Sequence, residues 1–191
     1  MENFLNQPYK MRIINSPIQG CYLVKENVIE DKRGHFLETY NYNFLKEKIY
    51  SGHFVQENES FSRGKVIRGM HYQEEPYSQN KIIRVLSGKI WDIVIDLRPD
   101  SSSYLNSYGV ELSRENGKQL FVPSGFAHGF AVTSDYARVI YKVNKPYMPN
   151  FERGFGPFDP QFNLKWPFSK KDAILSDKDL NWPLFKKNVK L

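Results

Sequence analysis

Short β-forming runs separated by turn-favouring residues dominate this sequence and restrict the folds open to it. The runs are GCYLVK, HFLETY, HFVQENESFS, KIIRVL, KIWDIVIDL, KQLFVP and ARVIYKV, and glycine, proline, serine or asparagine lies between them. Many short strands with such turns are typical of a β-sandwich or barrel, and about eight or more strands suit a jelly roll. The sequence therefore predicts a mainly β protein.

Two local patterns add detail to this prediction. The segment 90–97 alternates strictly, with Ile, Asp, Val and Asp on one side and Trp, Ile, Ile and Leu on the other. Alternation places one face of a strand inward and leaves the partly polar face elsewhere. The run NYNFLKEKIY is the best helix candidate, with an asparagine cap at Asn41 or Asn43. We expect this helix to lie in a connection between two strands.

Length and composition favour one domain that spans residues 1–191. Residues 1–11 form an N-terminal extension, and residues 168–191 form a polar tail of short helical turns and coil packed on the barrel. The single cysteine, Cys21, excludes an internal disulfide and suggests a buried small hydrophobic residue.

Charge and hydropathy limit the partners. The 27 Lys and Arg residues exceed the 21 Asp and Glu residues, for a net charge of +6, which indicates an anionic partner. The basic residues are scattered, whereas a nucleic-acid binder concentrates them on one face. A small phosphorylated ligand fits better. The polar N-terminus has no signal-peptide core, and no stretch approaches about 18 apolar residues. We expect a cytoplasmic protein without nucleic-acid or membrane partners.

The segment FVPSGFAHGF resembles the second signature of the cupin barrels, with Pro123, Gly125 and His128 in the order P-x-G-x-x-H. Metal-binding cupins supply a further H-x-H pair and a Glu from the first signature. The matching place here begins at His71 but has Gln73 where the second His would be, and Tyr77 stands four residues further on, where the Glu would be. Two histidines without a third firm ligand make a poor metal site. We therefore expect no metal.

A lone His on a strand is usually a core residue, but two cations accompany His71. Arg68 lies three residues before it, and Lys81 lies ten residues after it, at the start of the next strand. Adjacent antiparallel strands of a barrel would bring these side chains toward one cavity. A purely structural role for His71 does not explain the two cations, so a catalytic role is the stronger hypothesis.

Seven segments together resemble the dTDP-4-dehydrorhamnose 3,5-epimerase family. They are DKRGHFLETY, FVQENESFS, VIRGMHYQ, NKIIRVLSGKIWDIVIDLR, QLFVPSGFAHGF, YARVIYKVNKPYMP and LKWPFSKKDAILSDKD, and the resemblance covers about residues 12–180. Each segment alone is weak, but all of them in register are specific. The resemblance implies a cupin-type jelly-roll barrel that needs no cofactor. It also implies a homodimer whose N-terminal strands cross to the partner, so that one subunit completes the other's site.

The resemblance implies a set of catalytic residues. His71 matches the family's base, and Asp179 matches the carboxylate that orients it, although Asp177 is a second candidate two residues earlier. Lys81 matches the lysine that faces the C4 oxygen, and Tyr141 matches the acid that returns a proton to the opposite face. A base, an oxyanion stabiliser and an acid are what proton exchange next to a ketone requires.

The resemblance also implies the substrate-binding residues. Arg33 and Arg68 match diphosphate-binding positions, where a guanidinium can hold two oxygens at once. Tyr147 matches a ring that stacks on the base of the nucleotide, and His128 has a ligand-binding or structural role in the cavity. The remaining positions that match ligand contacts are Glu38, Gln56, Asn58, Glu152 and Lys178.

The implied reaction is epimerisation at C3 and C5 of dTDP-4-dehydro-6-deoxy-D-glucose to dTDP-4-dehydro-L-rhamnose, in an L-rhamnose or related deoxysugar pathway. A 3- or 5-epimerase of a related nucleotide-linked 4-keto-6-deoxysugar would keep the same His, Lys and Tyr. Two other classes also stay open, namely a metal-dependent cupin enzyme and a non-catalytic sugar-nucleotide binding module. The sequence does not distinguish dTDP from CDP or GDP.

Overall fold

A computed structural model of the chain describes residues 11–187. The predicted extension, apart from Met11, and the last four residues of the predicted tail lie outside the described residues. The strands are β1 Arg12–Asn15, β2 Tyr22–Lys25, β3 Val28–Asp31, β4 Gly34–Leu37, β5 Gln56–Arg63, β6 Ile67–Gln73, β7 Lys81–Asp96, β8 Ser107–Ser113, β9 Lys118–Val122, β10 Phe126–Val143 and β11 Glu152–Gly154. The helices are α1 Tyr42–Lys48 and α2 Asp177–Asn181, with a 3₁₀ turn at Pro149–Phe151.

Two long antiparallel strands, β7 and β10, organise the main nine-stranded sheet. The first half of β7 pairs with β9 and its second half with β8. Strand β10 likewise pairs first with β6 and then with β5. Apolar residues from both halves of the two strands meet in one buried cluster, which includes Ile83, Val94, Phe130 and Val139. The sheet therefore folds back on itself around a single interior.

The sequence predicted two separate strands, KIIRVL and KIWDIVIDL, where the structure has the continuous strand β7. Gly88 joins the two halves with φ +75°, and a Cβ there would lie 2.0 Å from the carbonyl oxygen of Tyr136. The β7–β10 register shifts opposite this point, between Val132 and Ala137. Such a bend needs glycine because other residues rarely adopt positive φ. Gly88 therefore bends the strand without ending it.

Both faces of the second half of β7 are buried, so the expectation that its partly polar face lies away from the core is wrong. Asp92 and Asp96 are fully buried, and Ile90, on the same face, belongs to the barrel core. The opposite face, with Ile93 and Ile95, lies under a second cluster that includes Phe155 and Phe185 from the C-terminal part of the chain. Packing of the tail on the barrel is thus as predicted.

The predicted helix and the predicted burial of Cys21 are confirmed. Helix α1 is capped by Asn41, whose side chain accepts a hydrogen bond from the backbone N–H of Phe44 at 3.0 Å. This bond satisfies one of the amide groups left free at a helix start. Cys21 is 1% exposed, and burial raises the pKa of its thiol to about 12.

Candidate active site

One cavity of about 410 Å³ opens between strands β5, β6 and β10, the start of β7, and helix α2. All the predicted site residues except Arg33 and Glu38 line it. They are Gln56, Asn58, Arg68, His71, Lys81, His128, Tyr141, Tyr147, Glu152, Lys178 and Asp179. The period of two along β5 places Gln56 and Asn58 on the same side of that strand. The fold therefore gathers into one cavity residues that lie far apart in the sequence.

His71 and Asp179 form a close pair in this cavity. The Nε2 atom of His71 lies 2.5 Å from Oδ1 of Asp179, whose side chain is only 3% exposed. Ser176 caps helix α2 by accepting a hydrogen bond from the backbone N–H of Asp179 at 3.1 Å. Asp177 is exposed and does not line the cavity. Of the two candidate carboxylates, Asp179 is therefore the one that contacts His71.

Lys81 and Tyr141 are diagonal neighbours across the β7–β10 pairing. Tyr141 lies opposite Ile83, and Lys81 lies opposite Val143, so both side chains are on the same face of the sheet. Burial lowers the pKa of Lys81 to about 8, against the opposing negative charge of Glu152. Burial also raises the pKa of Tyr141, which keeps the phenol protonated at neutral pH. A cation and a neutral O–H donor thus face the same space.

Tyr147, Glu152 and Lys178 form a chain of polar contacts at the cavity. The Tyr147 hydroxyl and the Lys178 ammonium both donate hydrogen bonds to Oε2 of Glu152. Burial alone would raise the pKa of Glu152, but the bonds from Lys178 and Tyr147 outweigh it and lower the pKa. The hydrogen bond to Glu152 raises the pKa of Tyr147 to about 12. Glu152 is therefore held as a carboxylate that links β11 to α2.

Arg68 supplies a cation at the exposed side of the cavity. Its Nε donates to Oγ of Ser62 at 3.1 Å, and its Nη2 donates to the carbonyl oxygen of Phe61 at 3.4 Å. Both acceptors are uncharged, so no carboxylate neutralises the guanidinium through these bonds. Such a group is suited to bind an anion, because two of its N–H groups can point to one phosphate.

His128 lies directly opposite His71 in the β6–β10 pairing and has its own carboxylate. Its Nε2 atom lies 2.9 Å from Oδ2 of Asp92, which is fully buried. Burial raises the pKa of Asp92, and the interactions with His128 and Lys81 oppose this effect. Within residues 11–187, no three metal-ligating side chains come together.

Arg33 and Glu38 lie outside this cavity because β3 and β4 form a separate two-stranded sheet. The two residues line another concavity, which shares no residue with the first one. The Arg33 side chain is 84% exposed, and its Nη2 lies 2.5 Å from Oδ2 of Asp31. Glu38 accepts a hydrogen bond from Nδ2 of Asn41 at 2.9 Å. Within this chain, the structure therefore does not bring the two residues to the other predicted contacts.

Several cavity residues were missed by the sequence reasoning, namely Ser60, Tyr72, Gln73, Gln79, Phe130 and Ser176. Ser60 shares the period of two with Gln56 and Asn58, so alternation along β5 was a signal that could have found it. Its hydroxyl is buried and makes no hydrogen bond within the described part of the chain. For Ser176, the available signal was the cap position before an acidic first turn.

Comparison with known proteins agrees with this geometry. The family model for dTDP-4-dehydrorhamnose 3,5-epimerase matches residues 15–187. The chain is 39% identical over 180 residues to the enzyme of that name from Methanothermobacter thermautotrophicus, covering 94% of this chain and 97% of the relative. It is also similar to the crystal structure of a dTDP-4-dehydrorhamnose 3,5-epimerase from Elizabethkingia anophelis, with a TM-score of 0.89, 40% identity and coverage of 93% and 98%.

A third comparison includes a bound sugar nucleotide. The structure of dTDP-6-deoxy-D-glucose-3,5-epimerase from Legionella pneumophila, in complex with dTDP-4-keto-L-rhamnose, has a TM-score of 0.87 and 36% identity, with coverage of 92% of this chain and 93% of that chain. The predicted cupin-type barrel is thus confirmed, and the molecule is of the nucleotide-sugar epimerase class. The chain belongs to the dTDP-4-dehydrorhamnose 3,5-epimerase family. Among residues 11–187, no helix is long and apolar enough to cross a membrane.

Proposed function

We propose that this chain epimerises C3 and C5 of dTDP-4-dehydro-6-deoxy-D-glucose to give dTDP-4-dehydro-L-rhamnose. The observation that carries the proposal is the convergence of the His71–Asp179 pair, Lys81 and Tyr141 on one cavity. This set supplies a base, an oxyanion stabiliser and an acid. Membership of the family supports the same substrate.

Proton removal begins at His71. The C4 ketone of the substrate acidifies the C–H bonds at C3 and C5, because the anion left behind is an enolate. His71 accepts the proton, and the buried carboxylate of Asp179 orients the ring and stabilises the imidazolium that forms. The Lys81 ammonium stabilises the negative charge that develops on the C4 oxygen. The substrate's own ketone provides the activation, so these steps use only side chains of this protein.

Inversion requires a proton from the opposite face. Tyr141 carries a phenol whose pKa is raised by burial, so it stays protonated and can donate at neutral pH. When Tyr141 protonates the enolate on the face opposite His71, the configuration of that carbon inverts. Return of the proton from His71 would instead regenerate the starting sugar. Before the second carbon reacts, His71 passes its proton to solvent and Tyr141 takes one up from solvent. The same steps at the second carbon then complete the 3,5-epimerisation.

Binding of the nucleotide diphosphate uses the remaining cavity residues. Arg68 binds the diphosphate, and Gln56 and Asn58 contact the nucleotide along β5. Tyr147 offers an aromatic ring to the ligand. Glu152 and Lys178, which lie beside it, make further contacts to the ligand. His128 completes the cavity wall beside the proton-transfer residues.

We also propose a homodimer in which Arg33 and Glu38 reach the partner's cavity. Two observations support it. The β3–β4 hairpin is separate from the main sheet, and Phe36, on its second strand, is 62% exposed. The test mixes Arg33→Ala with His71→Asn subunits under conditions that exchange protomers. In a C₂ dimer, random mixing restores about one quarter of the sites, and no recovery of activity would contradict sharing of residues.

The activity is tested with dTDP-4-dehydro-6-deoxy-D-glucose in D₂O, with NMR to locate deuterium in the sugar. We expect label at both C3 and C5, together with formation of dTDP-4-dehydro-L-rhamnose. Label at one carbon would instead identify a 3- or 5-epimerase. Binding without label would identify a non-catalytic module. Activity lost to a chelator and restored by a stoichiometric metal would contradict the proposed chemistry.

A further inference from the structure

The side-chain amide of Gln73 uses both of its ends inside the protein. Gln73 is the last residue of β6 and is only 4% exposed. Its Nε2 donates to the carbonyl oxygens of Tyr77 at 2.7 Å and Pro146 at 3.2 Å, and its Oε1 accepts from the backbone N–H of Met148 at 2.6 Å. Both amide donors and the carbonyl oxygen are therefore used.

The segment that Gln73 holds carries Tyr147, and two further glutamines hold it as well. Nε2 of Gln79 donates to the carbonyl oxygen of Lys145 at 2.9 Å. Oε1 of Gln56 accepts from the backbone N–H of Tyr147 at 3.0 Å. Glutamine amides thus bind the backbone at each position from 145 to 148. The Tyr147 residue is itself 46% exposed, so its position depends on this backbone more than on packing of the ring.

We propose that Gln73 is a positioning residue for substrate binding, which holds the backbone on both sides of Tyr147 and so fixes the tyrosine against the bound nucleotide sugar. The proposal rests on the function proposed above. Tyr147 donates to Glu152, and Glu152 also accepts from Lys178. A displaced segment would therefore disturb three ligand contacts at once. Gln73 occupies the place where a metal-binding cupin has its second His, and its amide here organises a loop.

The physical cost of removing the amide falls on the loop. In Gln73→Leu, the Pro146 carbonyl and the Met148 N–H lose a buried partner, and the segment gains alternative conformations. The substrate must then select the fraction of molecules with Tyr147 in place, which weakens binding by that fraction. His71, Lys81 and Tyr141 make none of these bonds. Once substrate is bound, we expect the proton-transfer steps to proceed almost normally.

The test compares wild type, Gln73→Leu and the matched exposed control Gln161→Leu. We expect the KM of Gln73→Leu for dTDP-4-dehydro-6-deoxy-D-glucose to rise about tenfold, with a similar rise in the calorimetric Kd for dTDP, while kcat changes less than about threefold. Gln161→Leu should match wild type. A folded Gln73→Leu with normal KM and Kd would overturn the proposal. A loss confined to kcat would also overturn it, since Gln73 would then act through His71.

Coupling with Tyr147 separates positioning from a general structural role. In Tyr147→Ala the ring is absent, so adding Gln73→Leu should weaken binding by less than about twofold more. If the two substitutions instead weaken binding independently, so that their separate fold-changes multiply in the double variant, the proposal is contradicted. If Gln73→Leu does not fold, Gln79→Leu is used in the same cycle, with a smaller effect in the same direction. Deuterium exchange by the wild-type enzyme is measured separately. If the wild type shows no exchange, the proposed function is wrong. If the wild type exchanges normally and the variants bind as it does, only the inference about Gln73 is wrong.

Discussion

The lowered pKa of Lys81 predicts an alkaline limit to the reaction. Burial lowers this pKa to about 8, although the charges of Glu152 and Asp92 oppose the effect. The proposed role requires the ammonium form, so activity is present below about pH 8 and is lost as the pH rises through it. With that pKa, about nine-tenths of Lys81 is protonated at pH 7 and about one-tenth at pH 9. We therefore expect kcat/KM to fall by up to about tenfold per pH unit above pH 8.

Substitution of Lys81 tests whether this residue causes the limit. A guanidinium stays protonated to about pH 12, so Lys81→Arg should remove the limb near pH 8, at a lower overall rate because its planar fork differs from an ammonium. Lys81→Met removes the donor, and we expect kcat to fall about 10²- to 10³-fold. Glu152→Gln removes a charge that raises the pKa of Lys81. The alkaline fall in kcat/KM of this variant should therefore begin at lower pH than in wild type.

The assay measures kcat/KM for dTDP-4-dehydro-6-deoxy-D-glucose from about pH 6 to pH 10 at constant ionic strength. Circular dichroism at each pH separates titration from unfolding, and the exposed Lys165→Arg serves as the matched control. The raised pKa of Tyr141 keeps that residue from ionising near pH 8. An alkaline limb that persists unchanged in Lys81→Arg would refute the assignment, as would a wild-type profile that stays flat through pH 8.

Three further substitutions test His71, Tyr141 and Asp179, and a fourth, Asp177→Asn, is the control for the last of them. His71→Asn should abolish deuterium exchange at both carbons, and appreciable residual exchange would show that another group is the base. Tyr141→Phe should retain some exchange but lose inversion, because His71 can still remove and return a proton on one face; inversion at a near-normal rate would leave Tyr141 a packing role. Asp179→Asn should lower kcat by about 10³-fold, whereas the neighbouring Asp177→Asn should stay within about twofold of wild type, as measured by label incorporation.

Local sequence patterns predicted those parts of the fold that local forces determine. Asn41 caps α1 because its side chain binds an amide only three residues away. Alternation identified strand character in residues 90–97, but it could not show that both faces of this segment are covered. That fact depends on Phe155 and Phe185, which reach the strand from the C-terminal part of the chain. Charged residues at an alternating position suggest exposure, and only tertiary contacts reveal that Asp92 is buried with His128.

The candidate site shows the same division between local and tertiary information. Gln73 reads in the sequence as a missing ligand, because the cupin pattern assigns that place to a histidine. Its hydrogen bonds to Tyr77, Pro146 and Met148 come partly from a segment that follows β10. No period or spacing within β6 indicates those bonds. Positioning roles of this kind depend on where distant backbone groups lie, and the sequence around Gln73 does not carry that information.

The choice between Asp177 and Asp179 shows how a small structural fact decides a chemical one. Both carboxylates lie in the first turn of α2. Successive residues of an α-helix turn by about 100°, so two residues apart in sequence point to nearly opposite sides. Only one of the pair can therefore face His71, and the cap by Ser176 fixes which one. Asp179 contacts the imidazole at 2.5 Å, while Asp177 is exposed. Because the two residues share charge and the first turn of α2, a large loss of kcat in a folded Asp179→Asn beside a normal Asp177→Asn would report the contact with His71.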